Sequence, residues 1–492
     1  MGWKYTRAIQ YSYSTVSIPN HSTGPLLYMA LQTKQDHRLP AQLAARLAQR
    51  IETHALRPGT RLPSIRHCAV ESRVSRSTVV EAYDQLIAAG LIESRRGSGF
   101  YVRLRANKLA QRRASAAPLP GTVLDVSWLL RAQRRQSPGS EQPGAGLLPE
   151  DWLDHEMVAA AVRGVGRSRG SWLLKYGAIE GYLPLREALS TRLAQAGIEV
   201  APEQIVTSAG ATEAIDLVAR RFLAPGDLVF VEDPAWFVMF ARFAAFGARI
   251  VGVPRGADGP DIAALESLLA RERPKLFILN SVAHNPTGSC MSTAVATRVL
   301  ELAARHDFMI VEDDIYGDLQ GRHAVRLASL DDGRRVVYVG GFAKTLAANL
   351  RVGFVAAHPS LARELRDIKA LTGLSSSELG ERVVARIIIE RSYERMLERL
   401  RIKLDECRAR TAEALQRMGA KIAGPPPGGM YLWADFGRDT NELATAGSRE
   451  GVLCAPGSLF SPTQLPSTWM RVAAATCLNA TAMKFLQRCM MR

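Results

Sequence analysis

The residue best placed for covalent chemistry is Lys344, in Gly340-Gly341-Phe342-Ala343-Lys344-Thr345, directly after the apolar run Val336–Val339. An amine held rigidly at the edge of a sheet can form a Schiff base with an aldehyde. Most lysines are solvated surface groups, so the weight rests on what accompanies this one. Gly210-Ala211-Thr212 follows the run Gln204–Ser208 and opens a helix predicted over Glu213–Phe222, so its amides and the helix dipole would bind a phosphate. Asp313 and Tyr316, in Glu312-Asp313-Asp314-Ile315-Tyr316, end another apolar run. A carboxylate there can pair with a pyridinium nitrogen and keep the ring an electron sink, while the phenol can bond the ring's 3′ oxygen. Asn285, within Ser281-Val282-Ala283-His284-Asn285-Pro286-Thr287-Gly288, can reach the same oxygen, and Trp236, after Asp233-Pro234-Ala235, can stack on the ring face. Each has an ordinary alternative: Trp236 as core, Asn285 as a turn residue, Asp313 as a helix cap, Gly210 as a plain strand-to-helix turn. Their joint order carries the argument.

The elements that must position these residues are legible as short apolar runs separated by helical stretches: Gln204–Ser208, Leu228–Glu232, Arg249–Val253, Lys275–Ser281, Phe308–Glu312, Val336–Val339 and Gly353–Ala357. Short buried runs alternating with helices predict a mostly parallel α/β sheet covered on both faces. A length of 492 residues exceeds one compact core and predicts a multidomain chain. Residues 104–146 read as a linker, rich in Arg, Ala, Pro, Gly, Ser and Gln (QRRASAAPLPG, RRQSPGSEQPGAG), and the α/β domain is expected over 147–492.

Ahead of the linker the chemistry is different. Eighteen Lys and Arg against six acids between Met1 and Pro120 place +12 of the net +16 in the first quarter of the chain, which points to a polyanionic partner for that segment. Residues 1–38 lack clear periodicity and read as an N-terminal extension, and a domain is expected over 39–103. Leu43, Leu47 and Ile51 recur at helical spacing. Pro63-Ser64-Ile65-Arg66 caps a short helix, and Ser75 opens a second. Val79, Tyr83, Leu86 and Ile87 would face its core and Arg76, Ser77 and Val80 its free side. Two short strands around Arg95-Arg96-Gly97-Ser98-Gly99 complete a hairpin beside this helix-turn-helix.

The six cysteines are scattered, without a CxxC pair or metal-ligand spacing to the nine histidines, so reduced thiols of a cytoplasmic protein are expected and no metal site. No stretch approaches the roughly 18 apolar residues of a membrane span.

The run RPGTRLPSIRHCAVESRVSRSTVVEAYDQLIAAGLIESRRGSGFYV resembles the winged helix of the GntR family of bacterial repressors. The resemblance implies contact with a double-stranded DNA operator by Arg66, Ser75, Arg76, Thr78 and Gly97. From about Leu147 onward, the order YGAIEGYLPLREAL, TSAGATEAIDL, EDPAW, HNPTG, EDDIYGDL, FAKTLAANLRVGF and WMRVAAA is similar to fold-type I, class I/II aminotransferases. That likeness implies pyridoxal 5′-phosphate held by Lys344, with Asp313 at the ring nitrogen, Tyr316 and Asn285 at the 3′ oxygen and Trp236 on the ring. It also implies Gly210, Ala211, Thr212 and Arg351 at the phosphate, Arg471 on an amino acid's α-carboxylate, and Tyr176 reaching the phosphate of a neighbouring subunit in a homodimer.

Winged helix, linker and aminotransferase-like domain in this order resemble the MocR-type regulators, a GntR subfamily. The function this implies is transcription control gated by an amino compound or by pyridoxal phosphate itself. The alternative is a working aminotransferase with an accessory DNA-binding arm. One departure bears on cofactor affinity and on turnover: many relatives carry hydroxyl residues three positions and one position before the lysine, where this chain has Gly341 and Ala343.

Overall fold

The computed structural model describes residues 39–52, 59–89, 91–95, 98–102, 142–168, 170–320, 324–424 and 428–491. These fall into two compact units, Met1–Gly121 and Thr122–Arg492. The expected extension 1–38 and most of the expected linker lie outside the described residues.

The first unit has helices α1 (Leu39–Glu52), α2 (Ile65–Ser72) and α3 (Arg76–Ala88), followed by the antiparallel hairpin β1 (Ile92–Arg95) and β2 (Gly99–Val102). Ser64 and Ser75 cap α2 and α3, their hydroxyls accepting from His67 N (3.3 Å) and Thr78 N (3.1 Å). Each thereby satisfies an amide that has no partner within its helix. The stripe Val79, Ala82, Tyr83 and Leu86 packs on Leu43 and Leu47 of α1 and on Ile92 and Val102 of the hairpin. The Tyr83 hydroxyl donates to Pro63 O (2.9 Å), tying α3 to the turn before α2. Ile87, expected on this face, is 37% exposed, because it lies at the stripe's edge in the last turn of α3.

The second unit is built on an eight-stranded sheet of order β3-β10-β9-β8-β7-β4-β5-β6. Its strands are β3 (Ile205–Ser208), β4 (Leu228–Asp233), β5 (Arg249–Gly256), β6 (Gly259–Pro260), β7 (Leu276–Leu279), β8 (Met309–Asp313), β9 (Val336–Gly341) and β10 (Gly353–Ala356). All seven apolar runs are strands. The pairs from β9 through β8, β7 and β4 to β5 are parallel, whereas β10 runs antiparallel to both β3 and β9. Direction is the part that an apolar run cannot encode. Alternate residues feed opposite faces, so Phe354 and Ala356 enter one core and Val355 the other. A smaller antiparallel sheet of order β11-β12-β14-β13 follows, made of β11 (Lys421–Ile422), β12 (Tyr431–Asp435), β13 (Ala455–Pro456) and β14 (Trp469–Ala473).

The described residues of this unit start inside the stretch expected as linker. Gln142 to Ala145 are buried, and two backbone bonds and one side-chain hydroxyl dock them on the small sheet and its flanks: Gly144 N to Leu453 O (2.7 Å), Ala473 N to Pro143 O (2.7 Å) and Thr476 Oγ1 to Gln142 O (2.7 Å).

Two glycines paired across β9 and β10 differ in what they tolerate. At Gly353 a Cβ would stand 2.5 Å from Ala211 N and from Gly210 C, both backbone, whereas at Gly341 the nearest atom would be 3.5 Å away. Gly353→Ala should destabilise the domain by about 1–3 kcal/mol, as overpacking against unyielding backbone does, and Gly341→Ala should be near neutral. Denaturant unfolding of both variants checks this; equal effects would contradict the packing described.

Candidate functional site

Because β10 opposes both β3 and β9, β3 runs parallel to β9, and the carboxyl ends of β3, β9, β8, β7 and β4 share one edge of the sheet. Those ends deliver Gly210, Lys344, Asp313 with Tyr316, Asn285 and Trp236 in turn. In open α/β sheets this edge is where ligands bind. Arg351 enters at the same edge, just before β10.

At the β3 end, Gly210 takes φ +91° and precedes the helix Ala211–Phe222, which starts two residues earlier than its sequence predicts. The backbone conformation demands the glycine, and a Cβ there would lie 2.6 Å from Nη2 of Arg351, whose flexible end would have to shift. Arg351 donates to Ala209 O (2.6 Å). The first amides of the helix, on Ala211 and Thr212, have no intrahelical acceptor, so they and Arg351 form a pole suited to an anion.

The centre of the site is buried. Asn285 joins two of the predicted residues, its Nδ2 donating to Tyr316 Oη (3.0 Å) and its Oδ1 accepting from Arg471 Nη1 (3.0 Å). Arg471 is 2% exposed and makes no ion pair among the described residues. Its Nη2 donates to Gly144 O (2.9 Å) and Ala145 O (3.4 Å), and its guanidinium lies over the rings of Tyr431 (4.4 Å) and Phe460 (5.0 Å). Lys344 Nζ donates to Gly146 O (2.7 Å) and lies 5.8 Å from the centre of the Tyr316 ring. Burial lowers the lysine's pKa, and Arg471 and Arg351 add to the effect against Tyr431 and Asp313, which favours the neutral, nucleophilic amine.

Asp313 shows the complementary need. Burial, with Asp314 beside it, pushes its carboxyl up to about 7 although Ile315 N and Lys344 act the other way. Among the described residues its side chain receives one long bond, 3.4 Å from Ile315 N. A buried carboxylate so poorly satisfied fits a cationic ring nitrogen.

Two supports were invisible in the sequence. Asn280 Oδ1 accepts from Asn285 N (2.9 Å), and Glu232, paired with Arg255, accepts from Asn280 N (2.8 Å). His284 lies 3.3 Å from the same carboxylate, its pKa pushed down to about 4 by burial and Arg255. This fixes the turn that carries Asn285. Separately, the Tyr393 hydroxyl meets Thr345 Oγ1 (2.5 Å) and donates to Asp318 Oδ2 (2.7 Å), linking the turn after Lys344 to the turn after Tyr316. Tyr431, also missed, reaches Tyr316 Oη (3.4 Å); within the apolar strand β12 nothing in its spacing marks it.

Two predicted residues stay outside this cluster. Trp236 is half-buried at the start of the helix Phe237–Ala245, packed against the core, and no other ring among the described residues pairs with it. Tyr176 is 82% exposed, near the exposed Leu173 and Leu174, and is not brought to the site of its own chain.

In the first unit, Arg66 and Arg76 are exposed and make no ion pair among the described residues. The Ser75 hydroxyl contacts those of Ser77 (2.7 Å) and Thr78 (2.8 Å), so Ser75 and Thr78 shape the start of α3. Gly97 lies outside the described residues.

Residues 145–488 match the aminotransferase class I and II family and residues 39–102 the gntR family of bacterial regulatory proteins. A 2-aminoadipate transaminase of Thermus thermophilus is 32% identical over 69% of this chain and 87% of its own. The probable rhizopine catabolism regulatory protein MocR of Rhizobium meliloti is 31% identical over 76% of each. Kynurenine aminotransferase of Pyrococcus horikoshii, solved with PMP, superimposes with a TM-score of 0.70 at 26% identity, covering 78% of this chain and 98% of that one. The chain belongs to the aminotransferase class I and II family, fused behind a GntR-type winged helix in the arrangement of MocR-type transcription regulators.

Proposed function

We propose that this protein controls transcription by binding operator DNA through its winged helix, in the cytoplasm, while its second domain holds pyridoxal phosphate and reads an amino compound. The observation that carries the cofactor is Asp313: a buried carboxyl pushed up to about 7 in reach of Lys344's field is relieved by a protonated ring nitrogen. Lys344 would hold the aldehyde carbon, Tyr316 and Asn285 the 3′ oxygen, Trp236 the ring face, and Gly210, Ala211, Thr212 and Arg351 the phosphate. When bound, pyridoxal phosphate supplies an aldehyde that exchanges amines and a ring that accepts electrons. Arg471 offers a planar fork for the carboxylate of the effector. The exposed Tyr176, with Leu173 and Leu174, supports a homodimer in which Tyr176 reaches the partner's phosphate.

A second reading, a working transaminase, is supported by the likeness to the 2-aminoadipate transaminase and by the retained Lys344, Asp313 and Arg351. Regulation is the better reading because a groove-reading helix adds nothing evident to an enzyme.

Three outcomes are expected. Borohydride treatment of the yellow protein fixes cofactor to Lys344, and peptide mapping that finds the label elsewhere rejects the assignment. Arg66→Ala and Arg76→Ala each weaken binding to the protein's own upstream DNA by about tenfold, in line with 1–3 kcal/mol for a good contact, and leave the cofactor spectrum unchanged. Gly341→Ser, placed where a Cβ fits and lies 3.6 Å from Ala211 N, adds a donor beside the phosphate pole. It should tighten pyridoxal phosphate binding about tenfold in an absorbance titration; unchanged or weaker binding would show that the hydroxyl does not face the phosphate.

A further inference from the structure

Three consecutive carbonyls of one segment occupy the two donors on which the proposed effector depends. Gly144 O and Ala145 O take Nη2 of Arg471, and Gly146 O takes Nζ of Lys344. The segment is held elsewhere by ordinary anchors, Leu453 O on Gly144 N, Ala473 N on Pro143 O and Thr476 Oγ1 on Gln142 O. In chain order it is the first described stretch after the winged helix.

We propose that Gln142–Leu148 is a displaceable strap: a ligand carrying both an amine and a carboxylate anchors through its amine at the cofactor and competes through its carboxylate with the strap's Gly144 and Ala145 carbonyls for Arg471, and the strap's release is what the DNA-binding domain senses. The competition follows from donor counting. When Lys344 condenses with an aldehyde, water leaves, carrying the aldehyde oxygen and two amine hydrogens, and the nitrogen keeps at most one proton. That proton is drawn to the ring's 3′ oxygen, so Gly146 O loses its donor when the cofactor loads and regains it when an incoming amine takes the aldehyde carbon and frees Lys344. A carboxylate is the stronger acceptor for a guanidinium and takes both branches of the fork, so Gly144 O and Ala145 O lose theirs. Among the described residues Arg471 Nε has no hydrogen-bond partner, leaving a donor in reserve for a bidentate carboxylate. The release is the carboxylate's work at Gly144 O and Ala145 O, and the amine, by exchanging onto the cofactor, holds that carboxylate in place. The ligand class is therefore an amino acid, and the site's signal is mechanical slack at the point where the chain leaves toward the DNA-binding domain.

The inference rests on Lys344 holding the cofactor, and the test separates the two. Full-length protein loaded with pyridoxal phosphate is first mapped with borohydride; absence of label on Lys344 overturns the underlying reading. With label present, hydrogen exchange of the peptide spanning 142–148 is followed with L-alanine, with methylamine and with acetate. Exchange should rise about tenfold with L-alanine and less with either half-molecule. No rise with L-alanine, or an equal rise with all three, overturns the strap. As a second arm, Gly144→Ala lifts the strap without ligand, since its Cβ would lie 2.7 Å from Cys454 C and 2.8 Å from Ala455 N. Thr476→Val loosens it more gently by removing one anchor. Both variants should bind upstream DNA, without amino acid, as the wild type does with L-alanine. Wild-type response in both overturns the proposal.

Discussion

Arg471 is a full positive charge with 2% exposure and no carboxylate to neutralise it among the described residues. Taking a guanidinium out of water is costly unless every face finds a partner. Here the partners come from four separate parts of the chain: Asn285 after β7, the carbonyls of Gly144 and Ala145, the ring of Tyr431 in β12, and Phe460. Asn285 in turn sets Tyr316, and Tyr316 stands beside Lys344. The arrangement of the site follows from satisfying most of one buried cation with neutral dipoles, its Nε left without a partner among the described residues. The same arrangement leaves a ready place for a negatively charged ligand.

What the sequence made legible was the set of residues at strand ends. Buried parallel strands are short apolar runs, and the polar residue at the carboxyl end of each stands out against them, as Asp313, Asn285 and Lys344 do. The serine caps of α2 and α3 were equally plain, because a hydroxyl before a helix has one common use. Strand direction was not legible, and β10 shows why: Gly353–Ala356 reads the same in either sense. Nor was the partnership of Arg471 with the strap, since a Pro- and Gly-rich segment looks like a linker whether or not its carbonyls meet a buried donor. Tyr431 escaped for a related reason, being an aromatic residue in a strand where aromatics ordinarily fill core.

Two modules with separate chemistry on one chain invite linkage. If an amino acid favours the strap-free arrangement, and that arrangement differs in DNA affinity, then operator DNA must change affinity for the amino acid by the same factor. A catalyst would need the strap to reset with each turnover, whereas a sensor needs only two arrangements of unequal affinity. The glycine at 341 fits the second case, because the proposed phosphate site, with one donor fewer, would exchange its occupant more readily.

On the proposed reading, the buried cation and the lysine jointly report an amino acid to the DNA. Gel-shift titration of the upstream DNA by full-length wild type, Lys344→Ala and Arg471→Ala, each with pyridoxal phosphate and with or without L-alanine, tests it most directly. An affinity change on adding L-alanine is expected in the wild type and in neither variant. A wild-type response persisting in Lys344→Ala would contradict it.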